Sequence, residues 1–301
     1  MSELIFSNVS VQQLVAFGDA ALRMGSFKTA AQLYRLAVKR SGGAATVSDL
    51  ARVDLARVNN SRILPMLDVM QALHQVDPRN VFVGDGLATW LKPTPFGSDA
   101  RYMELADKHA GLLPLVNWHW NLQTVLWAVQ HTQALNGAFV ELGVFKGHTT
   151  AFVAEYLGFE TWDKTWFLYD TFEGIPEDQL DPGWAANNAA TYGGTFTFEE
   201  VRDRFAPYPN IKVIKGRVPE ILAEDCPEAI SFIHMDLNNT TAEIQALDAL
   251  FDRLTPGGVI VFDDYGWTAA FRQREAEDAW FAARGLKILP LPTGQGLFVK
   301  P

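Results

Sequence analysis

Residues 259–266 read VIVFDDYG, four apolar residues that run straight into Asp263 and Asp264. Val259, Ile260, Val261 and Phe262 have the character of a strand buried on both faces. Two adjacent carboxylates at its end repel each other, so they stand either in water at a turn or around something positive. ISFIHMD (230–236) is a second run of the same kind and ends on Asp236. His234 lies two residues earlier, on the same strand face, where an imidazole titrating near neutrality could serve as a base or simply be a core residue with its bonds satisfied.

Two further acids have the same placement. AFVEL (138–142) leads into Gly143 and Gly147 within VELGVFKGHTT, and Glu141 is an acid at the end of a buried strand. The glycines permit a tight turn and close backbone approach, and the helix start that follows offers free N–H groups to an anion. WFLYD (166–170) ends in Asp170, placed to grip ribose hydroxyls. The three-glycine dinucleotide fingerprint and the Gly-Lys-Ser/Thr of a phosphate loop are both missing. This disfavours a nicotinamide oxidoreductase.

These acids need a scaffold that delivers strand ends to one place. Five apolar runs, at 138–142, 166–170, 211–216, 230–236 and 259–264, alternate with helical stretches. That pattern predicts an α/β fold with a parallel sheet covered on both faces. Ligands of such sheets bind beyond the carboxyl ends of the strands. EIQALDALFDRL (243–254) reads as an amphipathic helix, with a capping box at Thr240 and Glu243, and TPGG (255–258) as the turn that stops it. KILPLP and GLFVK, joined by a glycine-containing turn, read as an antiparallel closing pair. A helix is expected over about 117–135. Residues 76–115, rich in Pro and Gly, read as irregular connection. Residues 11–75 read as helical, with small residues at Gly18, Ala21, Gly25, Ala30 and Ala37 spaced either like one tetratricopeptide unit, with a degenerate second unit ending at Asp77-Pro78, or like an ordinary helical hairpin. The expected domains are 1–115, helical, and 116–301, the α/β domain. Trp184 and Tyr192, in the loop 181–195, are placed to stack on an acceptor if that loop is a lid.

The net charge of −10 carries no clustered Lys and Arg, which argues against nucleic acid and against strongly anionic substrates. One cysteine, Cys226, excludes a disulfide framework. No segment has the length to span a bilayer, and the expected location is cytoplasmic.

ELGVFKG, YDTFEGIPE and HMDLNNTTAEIQALDALFDRLTPGGVIVFDDYG together resemble the macrocin-type sugar O-methyltransferase family, over residues 117–301. The resemblance implies a Rossmann-like class I fold, a mostly parallel seven-stranded sheet with an antiparallel C-terminal edge. It implies S-adenosylmethionine as cofactor, with Glu141, Gly143 and Gly147 in the first cofactor motif and Asp170 on the ribose. Thr149, Thr171, Arg217 and Asp236 are expected to contact the cofactor as well. It implies Mg2+ on Asp236, Asp263 and Asp264. The acceptor is expected to be a small-molecule hydroxyl on a sugar or glycosylated metabolite, its proton taken by Asp236, by His234 or by a metal-bound hydroxide. Such a hard-oxygen triad suits Mg2+. Where family members often carry a further acid, this chain has Asn238, which makes the site less anionic. A metal-independent methyltransferase is the rival enzyme, and a scaffold built on a relic fold is the rival outside enzymes. The N-terminal helices offer a surface for a homo-oligomer.

Overall fold

The computed structural model describes residues 9–23, 27–40, 70, 72, 76, 81–112, 118–181, 196–267 and 270–301. The chain divides into two compact units, Met1–Asp77 and Pro78–Pro301. In the first, α1 (Val11–Arg23) and α2 (Phe27–Arg40) pack on each other. The Tyr34 ring lies over Gly18, where a Cβ would come within 2.3 Å of Cε1. The Tyr34 hydroxyl donates to Asp19 at 2.7 Å. The expected second repeat falls on residues of which only 70, 72 and 76 are described.

The second unit begins earlier than expected. Residues 81–112 are not an irregular connection. They form a hairpin of β1 (Val81–Gly84) and β2 (Leu87–Trp90), then α3 (Ala100–His109). Asp85 and Gly86 both take positive φ, 50° and 65°, the backbone of a two-residue hairpin turn. Phe82, Phe96, Tyr102 and Leu105 share one core with α4 (His119–Thr132) and α5 (His148–Leu157). This shared core is why the boundary falls at Asp77 rather than after residue 115.

The sheet order is β5-β4-β3-β6-β7-β9-β8. Its strands are β3 (Ala138–Leu142), β4 (Trp166–Asp170), β5 (Ile211–Lys215), β6 (Ile230–Met235), β7 (Leu254–Phe262), β8 (Leu289–Pro290) and β9 (Gly296–Val299). The first five are mutually parallel, while β9 runs antiparallel to β7 and β8 antiparallel to β9. Side chains alternate between two cores. Phe139, Trp166, Phe232 and Val261 enter the one shared by α4 and α5. Val140, Tyr169, Ile233 and Phe262 enter the other, with α8 (Thr240–Leu250) and α9 (Phe271–Ala282). Full burial of each such side chain stabilises the fold by about 1.5–3 kcal/mol. TPGG does not end in a free turn, because residues 255–258 already belong to β7. Between α5 and β7 lie two shorter helices, α6 (Phe198–Phe205) and α7 (Glu220–Glu224). Among the described residues no helix is long and apolar enough to cross a membrane.

Candidate active site

β3 leads to β4 on one side of the sheet and β6 lies on the other, so the chain reverses its direction of travel across the sheet between β3 and β6. A crevice is expected at such a point. There a cavity of about 480 Å³ opens. Gly143, Thr149, Asp170, Thr171 and Glu141 line one part of it, and Asp236, Asn238, Asp263, Asp264, Trp118 and Trp267 another.

The glycine turn is fastened by Asp170. One carboxylate oxygen accepts from the N–H groups of Val144 at 2.7 Å and Phe145 at 2.8 Å, and the other from Phe172 at 2.7 Å. Asp170 therefore shapes the turn as well as lining the cavity. Burial pushes its pKa up, and the three N–H bonds offset only part of that. Thr171 closes a small turn by donating to the Gly174 carbonyl at 2.7 Å. Gly147 is not on the cavity wall. It lies against the Phe205 ring, which a Cβ would approach to 2.7 Å.

Parallel register sets Glu141 beside His234. The His234 Nδ1 and a Glu141 oxygen are 2.9 Å apart, and Thr150 donates to the other Glu141 oxygen. The His234 Nε2 lies 3.6 Å from Asp263, an ion-pair distance too long for a hydrogen bond. Burial alone would lower the His234 pKa, but Asp263 and Glu141 outweigh it and hold it well above the usual value. His234 is 1% exposed and does not line the cavity. Enclosed between the Glu141 and Asp263 carboxylates, His234 is not brought to the cavity wall, where a base would meet the acceptor.

Asp236 and Asp263 sit one step past their strand ends, their N–H groups donating to Leu142 at 2.8 Å and Met235 at 2.9 Å. Asn238, in the left-handed region at φ 57°, donates through Nδ2 to Asp236 Oδ1 at 2.8 Å. Burial, then Asp263 and Asp264, push the Asp236 pKa well up. Burial, then Asp263 and Glu243, do the same to Asp264. The Asp264 Oδ2 is buried and has no hydrogen-bond partner among the described residues. Three crowded carboxylates with an orphaned buried oxygen have the donor chemistry a hard divalent cation takes. As the side chains stand, no group of three or more His, Cys, Asp and Glu among the described residues forms a ready metal cluster.

Two expectations fail here for local reasons. Arg217 is drawn away from the cavity by a paired contact to Asp178, at 3.0 and 2.7 Å, and by Glu220 at 3.5 Å. The capping box at Thr240 and Glu243 does not form. Asn239 caps α8 by accepting from Ala242 at 2.7 Å, while Thr240 bonds Asp181 and Glu243 is buried against Gln273 and Glu277. Trp184 and Tyr192 lie outside the described residues.

Trp118 and Trp267 also line the cavity, while Gln295 and Asp85, which do not, bond residues around it. Gln295, fully buried, donates to Asp263 Oδ1 at 3.0 Å. Trp118 and Trp267 stack with centroids 5.9 Å apart and planes at 12°. Asp85, at the hairpin tip, accepts from the first N–H groups of α4, Trp120 at 2.8 Å and Asn121 at 3.2 Å. Burial raises the Asp85 pKa to about 6. A raised folded pKa means that its contribution to stability is fully present below the unfolded value, near 3.8, and is lost as pH rises through about 6. Asp85→Asn is therefore expected to flatten the stability change between those pH values by on the order of 3 kcal/mol. Urea melts of wild type and variant at both ends of the window check it. Equal pH dependence would mean that Asp85 does not titrate there.

Residues 119–288 match the macrocin-O-methyltransferase (TylF) family. A Streptomyces olivaceus protein, the 8-demethyl-8-(2,3-dimethoxy-alpha-L-rhamnosyl)-tetracenomycin-C 4'-O-methyltransferase, is 27% identical over 62% of this chain and 72% of its own. The mycinamicin III 3''-O-methyltransferase of Micromonospora griseorubida is 25% identical over 43% of this chain and 55% of its own. Among solved structures, the O-methyltransferase NovP superposes with a TM-score of 0.52 at 19% identity, over 60% of this chain and 79% of that one, which bears on the fold alone. The glycine turn, the Asp170 clamp and the strand-end aspartates thus stand in a chain that belongs to the macrocin-O-methyltransferase family and is an S-adenosylmethionine-dependent methyltransferase.

Proposed function

We propose that the chain methylates a hydroxyl of a sugar or glycosylated metabolite, with Mg2+ held by Asp236, Asp263 and Asp264. The observation that carries this reading is one cavity walled both by the glycine turn with Asp170 and by the three aspartates. The name of the Streptomyces olivaceus relative, which specifies a rhamnosyl-bearing substrate, supports the acceptor class. The net charge of −10 favours a neutral acceptor over an anionic one.

Bound S-adenosylmethionine supplies an electrophilic methyl carbon on a sulfonium. Gly143 would let the backbone approach it, and Asp170, which fixes the turn, would hold the ribose. Asp236 takes the proton of the acceptor hydroxyl. Its Oδ1 accepts from Asn238, and its remaining lone pairs would serve the metal and the acceptor proton. Asp263 is held from behind by Gln295, and Asp264 brings its unpartnered Oδ2. Bound Mg2+ would make a coordinated hydroxyl more acidic. Positioning the hydroxyl oxygen in line with the methyl carbon supplies most of the remaining acceleration.

Calorimetric titration of metal-stripped protein tests both parts. S-adenosylhomocysteine is expected to bind, and Mg2+ added next is expected to give a heat that disappears in Asp264→Ala while the nucleoside still binds. An unchanged Mg2+ heat in that variant removes the metal assignment and favours a metal-independent reaction. Failure of the nucleoside to bind under any condition sinks the enzyme reading.

A further inference from the structure

Trp118 and Trp267 come from opposite ends of the α/β unit, one just before α4 and the other just after β7, yet they stack on the cavity wall. The pair is built, not incidental. Gly86 and Gly294 both crowd the Trp267 ring. A Cβ on Gly86 would stand 3.1 Å from its Cη2, and one on Gly294 2.8 Å from its Nε1. Any larger side chain at either position would displace the indole. Asp85, next to Gly86, anchors the first turn of α4 and so fixes the chain that carries Trp118. One hairpin tip thereby holds both rings.

The pair is also close to the chemistry. The Trp267 backbone N–H donates to the Asp264 carbonyl at 3.0 Å, so the residue follows the strand-end aspartates by a single turn. A ligand at this end of the cavity meets carboxylates and, beside them, half-buried indole surface. A saccharide presents both complements, hydroxyls at its rim and an apolar C–H face across the ring. An indole takes such a face through dispersion and weak C–H contacts with the electron-rich ring.

We propose that Trp118 and Trp267 form the acceptor subsite, an aromatic wall that takes the C–H face of the sugar ring whose hydroxyl is methylated. The hairpin tip Asp85-Gly86 acts as its positioning device. The proposal rests on the sugar-hydroxyl reading of the function and names the surface that would select it.

Saturation-transfer difference NMR on the full chain loaded with S-adenosylhomocysteine tests the subsite. The probes are methyl α-L-rhamnopyranoside, methyl β-D-glucopyranoside and p-nitrophenyl α-L-rhamnopyranoside. At least one glycoside is expected to receive saturation on the ring protons of one face. That signal is expected to fall at least fivefold in Trp267→Ala and in Trp118→Ala, and to survive in Trp267→Phe. Gly86→Ala is expected to weaken it without removing an aromatic group, an effect that loss of ring contact alone does not produce. Nucleoside affinity, measured on the same samples, is expected to stay within twofold. Signals equal to wild type in both alanine variants overturn the aromatic subsite. So does the absence of saturation for all three glycosides in wild type that binds the nucleoside. Loss of nucleoside binding in the wild type strikes instead at the methyltransferase reading. If Trp267→Ala does not fold, Gly86→Ala and Trp267→Phe carry the test.

Discussion

Asp236→Asn is expected to lower the single-turnover methyl-transfer rate by about 10²–10⁴-fold, the usual contribution of a positioned base, and to raise the thermal stability of the metal-stripped protein. The two effects have one cause. Burial and the charges of Asp263 and Asp264 hold the Asp236 pKa well above its ordinary value, so the ionised form is costly in the fold. The contribution of such a group to stability is fully present below the unfolded pKa and lost as pH rises through the folded one. At neutral pH the wild type bears that cost and the amide does not. The gain in Tm is therefore expected to be largest near neutrality and to fade as pH drops toward the unfolded carboxylate range. The amide keeps an oxygen that can still accept from Asn238 Nδ2. Affinity for S-adenosylhomocysteine is expected to stay within about twofold, since the glycine turn is held by Asp170 instead. Single-turnover transfer to a methyl glycoside with free ring hydroxyls, with melts across the pH range, checks the pair. Full activity in the variant would remove Asp236 as the base. Lowered stability at neutral pH would mean that its charge is compensated in the free protein.

The parallel strands are legible because most are short apolar runs, and the acids Glu141, Asp170, Asp236, Asp263 and Asp264 stand at or just past their ends in the sequence itself. β3, β4 and β6 begin and end within a residue of the sequence expectation. What escaped reading depends on pairings distant in sequence. The sequence puts Arg217 just past β5, where it stands, but Asp178, on a different loop, takes up its guanidinium. Strand alternation puts His234 on the face of Asp236, but its surroundings are set by Glu141 and Asp263, which come from the neighbouring strands. Trp118 and Trp267 had no local pattern to connect them. The hairpin 81–90 is a different kind of miss. Its Asp85-Gly86 turn between VFVG and LATW is a local signal of high specificity, overridden by the many prolines and glycines that surround it. Thr240 and Glu243 carried a genuine capping-box pattern that lost to Asn239, one residue earlier and equally suited to the role.

Gly143→Ala is expected to abolish nucleoside binding and to destabilise the fold by about 3 kcal/mol or more, the sum of backbone strain and a backbone collision. Gly143 has φ +84°, and an added Cβ would lie 1.9 Å from the Asp236 carbonyl oxygen and 2.6 Å from its carbonyl carbon. That oxygen cannot swing aside like the end of a flexible side chain. It belongs to the segment that carries Asp236 out of β6, whose N–H is bonded to Leu142, the residue before the glycine. The two strand ends would have to part, and parting them moves the cofactor turn and the proposed base together. Gly285→Ala provides the control. Gly285 also has positive φ, +71°, but a Cβ there meets nothing within 4 Å. That variant reports left-handed strain alone, about 1–2 kcal/mol, with nucleoside affinity unchanged. The excess loss in Gly143→Ala, measured by urea melts beside calorimetry, isolates the close approach of β3 to β6. Equal destabilisation in the two variants, with binding retained in both, would show that the turn relaxes without disturbing the site and that the approach of the two strand ends is not what shapes the cofactor pocket.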